Sequence, residues 1–405
     1  MRVKNEDVEA KKLKVPYSPF GSEYGFEELE AIAKAWQDEH LTMGPLVREF
    51  EAKFAEYTGT KYAVATTSCT TALYIITQAI GLRPGDEVIT TPLTFIATSL
   101  HILRYHATPV FADINPRTFN IDPQSVREKI TDKTKAIYVV HYGGQMADMD
   151  PIMALAEKHN LYVVEDCAHA PGAEYKGRKA GSIGHFGAFS FHALKNMTTL
   201  GEGGMVTTND PFFYQKLELL RRMGVTSKAY EGRSDYWLPY HYDVVDVDGE
   251  ICNNFRMTTS QAAVGIVQLK KLDSLNERRR RIGRYLNNSL EDIEGIKVTY
   301  EDPNCTHVYH LYSLLFDSQK IGATKDDFIR ILYRKYGIQP IIHYLPNYLF
   351  TIYKKRGYQS GLCPIAEKVF SQLVNLPIHP RLTHEQVEIM VNGVREAINC
   401  LKRGV

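Results

Sequence analysis

Short runs of β-branched and aromatic residues alternate with helical patterns through most of the chain, and this alternation limits the possible folds. The strand-like runs are GDEVITTPLTF, ATPVFADI, KAIYVVHY, LYVVED and GAFSFH, and they are separated by helical segments such as DPQSVREKI and DPIMALAEKH. Strands joined through helices pair in parallel, and the helices then cover both faces of the sheet. The sequence therefore predicts a mostly parallel α/β sheet.

The rest of the chain indicates a second unit. Helical spacing over residues 26–36 and 46–57 predicts two entry helices before the first strand. After Gly295, the runs IKVTY, HLYSLLF and GIQPIIHY alternate with helices, which is typical of a smaller α+β domain on an antiparallel sheet. Because 405 residues exceed one compact core, we expect a large domain at residues 1–280 and a small one at 281–405, with the boundary inside a long helix.

Charge and cysteine usage exclude several classes of function. Lys and Arg total 48 against 47 Asp and Glu, so a nucleic-acid partner recognised through bulk charge is not expected. The six cysteines are scattered without a CxxC pair, which predicts reduced thiols and no metal site. No apolar stretch is long enough to span a bilayer, and the charged start MRVKNEDVEAKKLKV lacks a signal-peptide core. We expect a cytoplasmic protein without a membrane partner.

A lysine follows one of the predicted strands at the point where a parallel sheet binds its ligands. The strand ends at Phe191, Lys195 comes within a turn, and Gly201, Gly203 and Gly204 lead into the next strand. A lysine amine condenses with an aldehyde only when it is unprotonated, and burial favours that state. Taken alone, a lysine is more often a surface charge.

An acidic pair ends another predicted strand, in LYVVEDCAHAPGAEY. Glu165 and Asp166 would lie at the rim where the sheet meets its ligand crevice. A carboxylate there can pair with the ring nitrogen of a pyridoxal cofactor, which makes the ring an electron sink. The alternative is an acid that only caps the following helix.

A hydroxyl-rich segment, AVATTSCTTAL, precedes a predicted apolar helix. Its free backbone N–H groups and hydroxyls can hold a phosphate, although a simple cap needs only one of them. The hydroxyl residues are Thr66, Thr67, Ser68, Thr70 and Thr71. Downstream, Phe95 in TTPLTFIATS could stack on a flat ring, or belong to the core. We favour a shared site because the hydroxyl-rich turn, the aromatic residue, the acid and the lysine all project to one edge of one sheet.

With these segments in view, the chain resembles the DegT/DnrJ/StrS type of sugar aminotransferases, which are pyridoxal-phosphate enzymes of fold type I. The resemblance runs from the MGP motif through TSCTTAL, DEVITTPLTFIAT, PVFADI, VVEDCAHAPGA and SFHALKN with GEGG, and on to NFRMTTSQAAVG, IHYLP and LPIHP. It implies a large domain with a mostly parallel, seven-stranded-type sheet flanked by helices. It also implies pyridoxal 5′-phosphate, in its PLP and PMP forms, as cofactor.

The resemblance implies a role for particular residues. Lys195 would form the Schiff base, Asp166 would pair with the pyridine nitrogen, and His169 would neighbour the ring hydroxyl, where many members have glutamine. The cofactor-binding set would be Thr70, Thr71, Phe95, Asp166, His169, Ser190 and Lys195, with Asn254 or Arg256 from the neighbouring subunit of a homodimer. The substrate-binding candidates are Gly44, His192, His310, His343 and Tyr344; histidines beside aromatics are also often plain packing residues.

The chain departs from the family pattern in two places. The usual SGTA turn reads SCTT, so that Cys69 and Thr71 would crowd the phosphate turn. The segment between Val225 and Cys252 looks longer than in compact members. Lys195 is present, which excludes the histidine-type dehydratases of the family.

By resemblance, the protein would move an amino group from an amino acid, with L-glutamate as the expected donor, to a keto-sugar linked to a nucleotide diphosphate. Such a reaction belongs to amino-sugar biosynthesis, for lipopolysaccharide or an antibiotic. One alternative is an aminotransferase for a free ketocyclitol or a sugar phosphate. A second is a PLP-binding regulatory protein without turnover, against which the intact Lys195, Asp166 and His169 argue.

Overall fold

A computed structural model describes residues 13–17, 20–37, 40–226 and 243–403 of the chain. Its central feature is a sheet of seven strands in the order β1-β9-β8-β5-β4-β2-β3. The strands of this sheet are β1 (Tyr62–Thr66), β2 (Glu87–Thr90), β3 (Thr108–Phe111), β4 (Thr134–Val140), β5 (Tyr162–Asp166), β8 (Phe186–Ser190) and β9 (Gly204–Thr208). Only β9 is antiparallel to its neighbours. The predicted mostly parallel, seven-stranded α/β sheet is confirmed.

The helices before and between these strands follow the predicted pattern. They are α1 (Phe26–Ala35), α2 (Pro45–Thr58), α3 (Cys69–Ala79), α4 (Ala97–Arg104), α5 (Pro123–Lys129), α6 (Met149–His159), α7 (Pro211–Leu220) and the long α8 (Thr259–Leu290). A short 3₁₀ turn covers Tyr142–Gly144. The two entry helices, α1 and α2, lie where the sequence predicted them.

The apolar core lies on both faces of the sheet. Along β4, Tyr138 belongs to the core cluster under one set of helices and its neighbour Val139 belongs to the cluster on the opposite face. Successive side chains of a strand point to opposite faces, so a strand buried on both sides needs the continuous apolar run seen in the sequence. None of the helices in the described ranges has the length and apolar character needed to cross a bilayer.

The C-terminal part has its own core and smaller sheets. Its strands are β12 (Ile296–Lys297), β14 (Tyr312–Phe316) and β15 (Leu373–Leu376), which form an antiparallel sheet in the order β12-β14-β15. Short strands pair elsewhere: β6 (Glu174–Tyr175) with β7 (Arg178–Lys179) and β13 (Cys305–Thr306), and β10 (Val225–Thr226) with β11 (Asp243–Val244). The helices are α9 (Ser318–Ile321), α10 (Lys325–Tyr336), α11 (Thr351–Lys354), α12 (Pro364–Gln372) and α13 (His384–Arg403), with a 3₁₀ turn at Asn347–Leu349.

One strand that the sequence predicts in this region does not form. GIQPIIHY forms isolated bridges at Ile338 and Ile341 instead of a strand, because Pro340 between them has no N–H to donate. Most of the segment between Val225 and Cys252 that we expected to be long, residues 227–242, lies outside the described residues. The division at residues 280 and 281 falls within α8 and stays a prediction.

A buried guanidinium joins three distant parts of the chain. Arg279 on α8 is fully buried and donates to the carbonyl oxygens of Tyr309 at 3.1 Å and Ile378 at 2.9 Å, and also to that of Gly21. Burial lowers its pKa to about 10. Since Gly21 N in turn donates to Ala193 O at 2.7 Å, this cation holds the N-terminal segment against the turn that contains Lys195.

Replacing this arginine tests the tie. Arg279→Met leaves three buried carbonyl groups without their donor. We expect the free energy of unfolding to fall by about 3 kcal/mol, because each buried acceptor that loses its hydrogen bond costs about 1 kcal/mol or more. Urea denaturation measures the change. Arg281→Met, at an exposed position on the same helix, is the matched control and should change stability by less than about 0.5 kcal/mol. Equal effects of the two substitutions would contradict this assignment.

Candidate active site

A cavity of about 640 Å³ opens at the carboxyl ends of β4, β5 and β8, beside the start of α3. The predicted cofactor residues that line it are Thr70, Phe95, Asp166, His169, Ser190 and Lys195. The predicted substrate residues that line it are His192, His310, His343 and Tyr344. The structure therefore brings together residues that are far apart in the sequence, at the edge where parallel sheets bind ligands.

Asp166 is buried at the end of β5 and is held by three donors. Thr98 Oγ1 donates to its Oδ2 at 2.7 Å, while Ala168 N at 3.1 Å and Cys69 Sγ at 3.9 Å lie on Oδ1. Burial raises the pKa of Asp166, and the bonds from Thr98 and Ala168 and the charge of Lys195 oppose that rise. The carboxyl group is thus fixed in place and keeps capacity to accept one more charged donor.

Glu165, the other member of the acidic pair, points to the opposite face of β5 and has a structural role. Its carboxylate accepts from His141 Nε2 at 2.9 Å and from the backbone N–H groups of Gly181, Ile183 and Gly184 at 3.1, 2.8 and 2.6 Å. These four bonds fill the lone pairs of the carboxylate. His141, Glu165 and Cys167 have ligand atoms within 4.8 Å of one another, but this saturation leaves Glu165 no lone pair for a metal ion.

Lys195 lies in the turn that follows β8, between the cavity and the N-terminal segment. A Cβ on Gly21 would meet Lys195 O at 2.3 Å, so a glycine is needed for this close approach. Burial lowers the pKa of Lys195 to about 8, although the charge of Asp166 and the Cys69 thiol oppose the shift. Its amine is therefore available as a nucleophile and base near neutral pH.

The start of α3 forms a cradle with β9. Ser68 caps the helix by accepting from Thr71 N at 3.1 Å, and Ser68 N donates to Thr71 Oγ1 at 3.0 Å. Cys69 and Thr70, the first two helical residues, have no intrahelical partner for their N–H groups. A Cβ on Gly204 would meet Ser68 O at 2.4 Å, so β9 can pack against this turn only with a glycine there. The arrangement suits an anion at a helix N-terminus.

Four predicted residues lie elsewhere. Thr71 does not line the cavity, because its hydroxyl belongs to the α3 cap and also lies 3.1 Å from Thr67 Oγ1. Gly44 caps α2, where a Cβ would meet His40 Cβ at 2.7 Å. Asn254 and Arg256 are outside the lining of this chain's cavity, and Asn254 is exposed. Their predicted place in a partner's site stays a prediction.

Buried imidazoles form one wall of the cavity. His169 Nε2 lies 2.9 Å from Tyr344 Oη, and its ring stacks on His310 with centroids 4.3 Å apart. Burial and the charge of Lys195 lower the pKa of His169 well below its usual range and that of His343 to about 4. At neutral pH these rings are uncharged, so they act through hydrogen bonds. Phe95 is 56% exposed and faces Tyr344 at 6.4 Å between centroids.

Sequence reasoning missed residues that support the site from behind. Thr98 holds Asp166, and Thr94 Oγ1 lies 2.9 Å from Thr98 Oγ1. Asn196 Oδ1 lies 3.1 Å from His310 Nδ1. Asn196 carried no signal, because its side-chain partners are 80 or more residues away.

The site combines a half-buried lysine of lowered pKa, a fixed strand-end carboxyl and an anion cradle. It lies on a mostly parallel sheet with a smaller C-terminal unit. Together these features define a PLP-dependent enzyme of fold type I. The cradle residues and the open acceptor on Asp166 fit the phosphate and the pyridinium nitrogen of that cofactor.

Comparison with known proteins identifies the family. Residues 23–395 match the DegT/DnrJ/EryC1/StrS aminotransferase family, and the chain belongs to it. It is 39% identical over 375 residues to the spore coat polysaccharide biosynthesis protein SpsC of Bacillus subtilis, covering 92% of this chain and 95% of that protein. It is 36% identical over 374 residues to the GDP-perosamine synthase of Caulobacter vibrioides, with 91% and 94% covered.

Solved structures agree. The aminotransferase from Psychrobacter cryohalolentis superposes with a TM-score of 0.87 at 34% identity, covering 95% of this chain and all of that one. The protein is thus an aminotransferase of the sugar aminotransferase family, and its cofactor is pyridoxal 5′-phosphate.

The pKa of Lys195 can be tested on the cofactor-free protein. Because a neutral amine is needed to react with an aldehyde, the rate of labelling by pyridoxal phosphate and borohydride should rise about tenfold per pH unit and level off above about pH 8. Asp166→Asn removes the charge that favours the ammonium form, so the inflection should move to lower pH. Peptide mapping identifies the labelled lysine. A rate at Lys195 that keeps rising to pH 10.5, the ordinary lysine value, would contradict the assignment.

Proposed function

We propose that the protein transfers the amino group of L-glutamate to a keto-sugar linked to a nucleoside diphosphate. The observation that carries this proposal is Lys195, an amine of lowered pKa that shares a cavity of about 640 Å³ with Asp166. The cavity is roomy enough for a cofactor and a sugar ring together. GDP-perosamine synthase is similar to this chain along most of the length of both proteins. It is named for a nucleotide-linked amino sugar, which supports a substrate with a nucleotide carrier.

The residues divide the work by their chemistry. When bound, the cofactor supplies an electron sink that stabilises a carbanion. We assign Asp166 to its ring nitrogen, Phe95 to its ring face, and Thr70 and Ser190 to its phosphate. We place His169 beside the ring hydroxyl, where its buried imidazole is uncharged.

Lys195 is the group placed to move protons in both halves of the reaction. Its amine would hold the cofactor, and it is placed to take a proton from the donor's α-carbon and to pass that proton to the cofactor. With the keto-sugar it returns a proton in the reverse direction. Burial lowers the pKa values of His169, His310 and His343, so at neutral pH these three rings hold no extra proton to give.

Substitution of Lys195 tests the enzymatic role. Lys195→Ala should abolish glutamate-dependent formation of 2-oxoglutarate, a loss of at least about a thousandfold for removal of both the covalent anchor and the proton carrier. Lys270→Ala, on the exposed side of α8, is the control and should keep wild-type activity. Turnover by Lys195→Ala at a rate similar to the control would refute the assignment.

A substrate panel tests the acceptor. Nucleoside-diphosphate keto-sugars, free ketocyclitols and keto-sugar phosphates are compared with glutamate as donor, and amine formation is followed by mass spectrometry. The proposal expects turnover with the nucleotide-linked class to exceed the others by at least about tenfold, since binding of the remote nucleotide raises kcat/KM. Preference for either other class would replace the substrate proposal and leave the aminotransferase activity in place.

A cytoplasmic location stays a prediction.

We also propose that two copies of the chain share their active sites. Among the described residues that line the cavity, Lys195 is the only lysine or arginine, although a phosphate brings about two negative charges. Arg256 or Asn254 of a second copy would complete the cradle. An apolar groove of about 520 Å³ is lined by Gly201, Leu29 and Leu200, and the two leucines are 64% and 46% exposed. Such a dimer would cover this groove.

Subunit mixing tests the shared site. Lys195→Ala and Arg256→Ala are each expected to be inactive as pure proteins, the second through weakened cofactor binding. After joint unfolding and refolding, mixed dimers contain one intact site, and about a quarter of wild-type activity should return. A mixture that stays inactive, or a strictly monomeric protein with full activity, would contradict the proposal.

A further inference from the structure

The stacked pair of histidines in the cavity wall raises the question of which ring nitrogen carries the proton. His169 and His310 lie face to face, with centroids 4.3 Å apart and planes 30° apart, and both are buried. Burial and the nearby charge of Lys195 lower both pKa values well below the usual range. Each ring is then neutral, and in a neutral imidazole one nitrogen donates and the other accepts.

The amide of Asn196 determines which ring nitrogen of His310 carries the proton. One end of this buried amide lies 3.1 Å from Val308 O and the other lies 3.1 Å from His310 Nδ1. A backbone carbonyl only accepts, so the end at Val308 must be the NH₂ group. The end at His310 is therefore the oxygen, and His310 Nδ1 must donate its proton to it.

Asn276 on α8 supports the same orientation independently. It lies 2.9 Å from Pro171 O, again a carbonyl that only accepts, so its NH₂ group must face Pro171. Its oxygen then faces the NH₂ group of Asn196 at 2.9 Å. The chain of amides has one consistent direction, from His310 through Asn196 and Asn276 to the backbone.

His169 is held in the opposite tautomer. The backbone N–H of Gly143 donates to its Nδ1 at 3.3 Å, so the neutral ring carries its proton on Nε2. That proton faces Tyr344 Oη at 2.9 Å. The two stacked rings thus expose different chemistry: His169 uses its proton within the protein, whereas His310 Nε2 is a lone pair with no hydrogen bond among the described residues.

We propose that Asn196 and Asn276 are positioning residues that hold His310 as the Nδ1–H tautomer, so that its Nε2 accepts a hydrogen bond from a neutral hydroxyl of the sugar. This rests on the proposed function and specifies the chemistry of the substrate at that wall. An acceptor lone pair recognises a hydroxyl donor and disfavours a phosphate or carboxylate oxygen, which can only accept. The anionic parts of the substrate therefore lie away from His310.

The tautomers can be read directly by NMR. In holoenzyme labelled with ¹⁵N-histidine, long-range ¹H–¹⁵N correlation should show a protonated Nδ1 for His310 and a protonated Nε2 for His169, with resonances assigned from His310→Gln and His169→Gln. Asn196→Ala should shift the His310 nitrogens toward the average of the two tautomers. An Nε2–H or imidazolium signature for His310 in the wild-type protein would overturn the proposal.

Kinetics with deoxy-sugars tests the hydroxyl contact. His310→Leu should raise KM for the accepted keto-sugar about tenfold, as loss of one buried hydrogen bond implies. One deoxy analogue should show the same loss with the wild-type enzyme and no further loss with the variant. If every analogue loses equally with both proteins, His310 does not contact a hydroxyl and the proposal fails.

A matched pair separates positioning from general stability. Asn276→Ala should raise the KM for the sugar, whereas Asn287→Ala on the same helix, which removes only a 2.8 Å bond to Thr299 O, should not. Equal KM values for these two variants would overturn the positioning role. If the wild-type protein aminates no keto-sugar, the proposed function falls, and the NMR measurement still decides the tautomers.

Discussion

Much of the structure depends on the buried guanidinium of Arg279. It donates to carbonyl groups of Gly21, Tyr309 and Ile378, which belong to the N-terminal segment and to two stretches of the C-terminal part. Because a buried cation must keep its hydrogen bonds, these segments cannot move apart without a large cost in free energy. The turn that contains Lys195 packs on Gly21, so the cavity wall is positioned by the same contact. The charge of Arg279 also helps to lower the pKa of His310.

The end of β5 shows how one strand serves both structure and chemistry. Glu165 and Asp166 are neighbours in the sequence, but the twofold period of a strand sends their side chains to opposite faces. Glu165 receives four hydrogen bonds and is fully engaged by the fold. Asp166 receives fewer donors and lies beside the cavity, and the charge of Lys195 opposes the rise that burial causes in its pKa. Two acidic residues at adjacent positions therefore have unrelated roles.

Sequence patterns predicted the parts of the site that depend on local order along the chain. Lys195 after β8, Asp166 at the end of β5 and the hydroxyl-rich start of α3 all follow from strand and helix periodicity, since parallel strands end at one edge. Thr71 is instructive, because its sequence position suited a phosphate contact while its hydroxyl is used in the helix cap. Whether a hydroxyl at a helix start faces a ligand or its own helix depends on a rotamer, which no spacing specifies.

The sequence by itself therefore determined the class of fold, the order of its strands and helices, and the catalytic lysine as a candidate. Those properties follow from periodicity and from the geometry of parallel sheets, which act over short stretches of chain. Only the tertiary structure decided which nitrogen of His310 is protonated, because the amides of Asn196 and Asn276 are oriented by carbonyls of Val308 and Pro171. Hydrogen-bond direction across more than a hundred residues has no local pattern, and it is this direction that shapes what the cavity recognises.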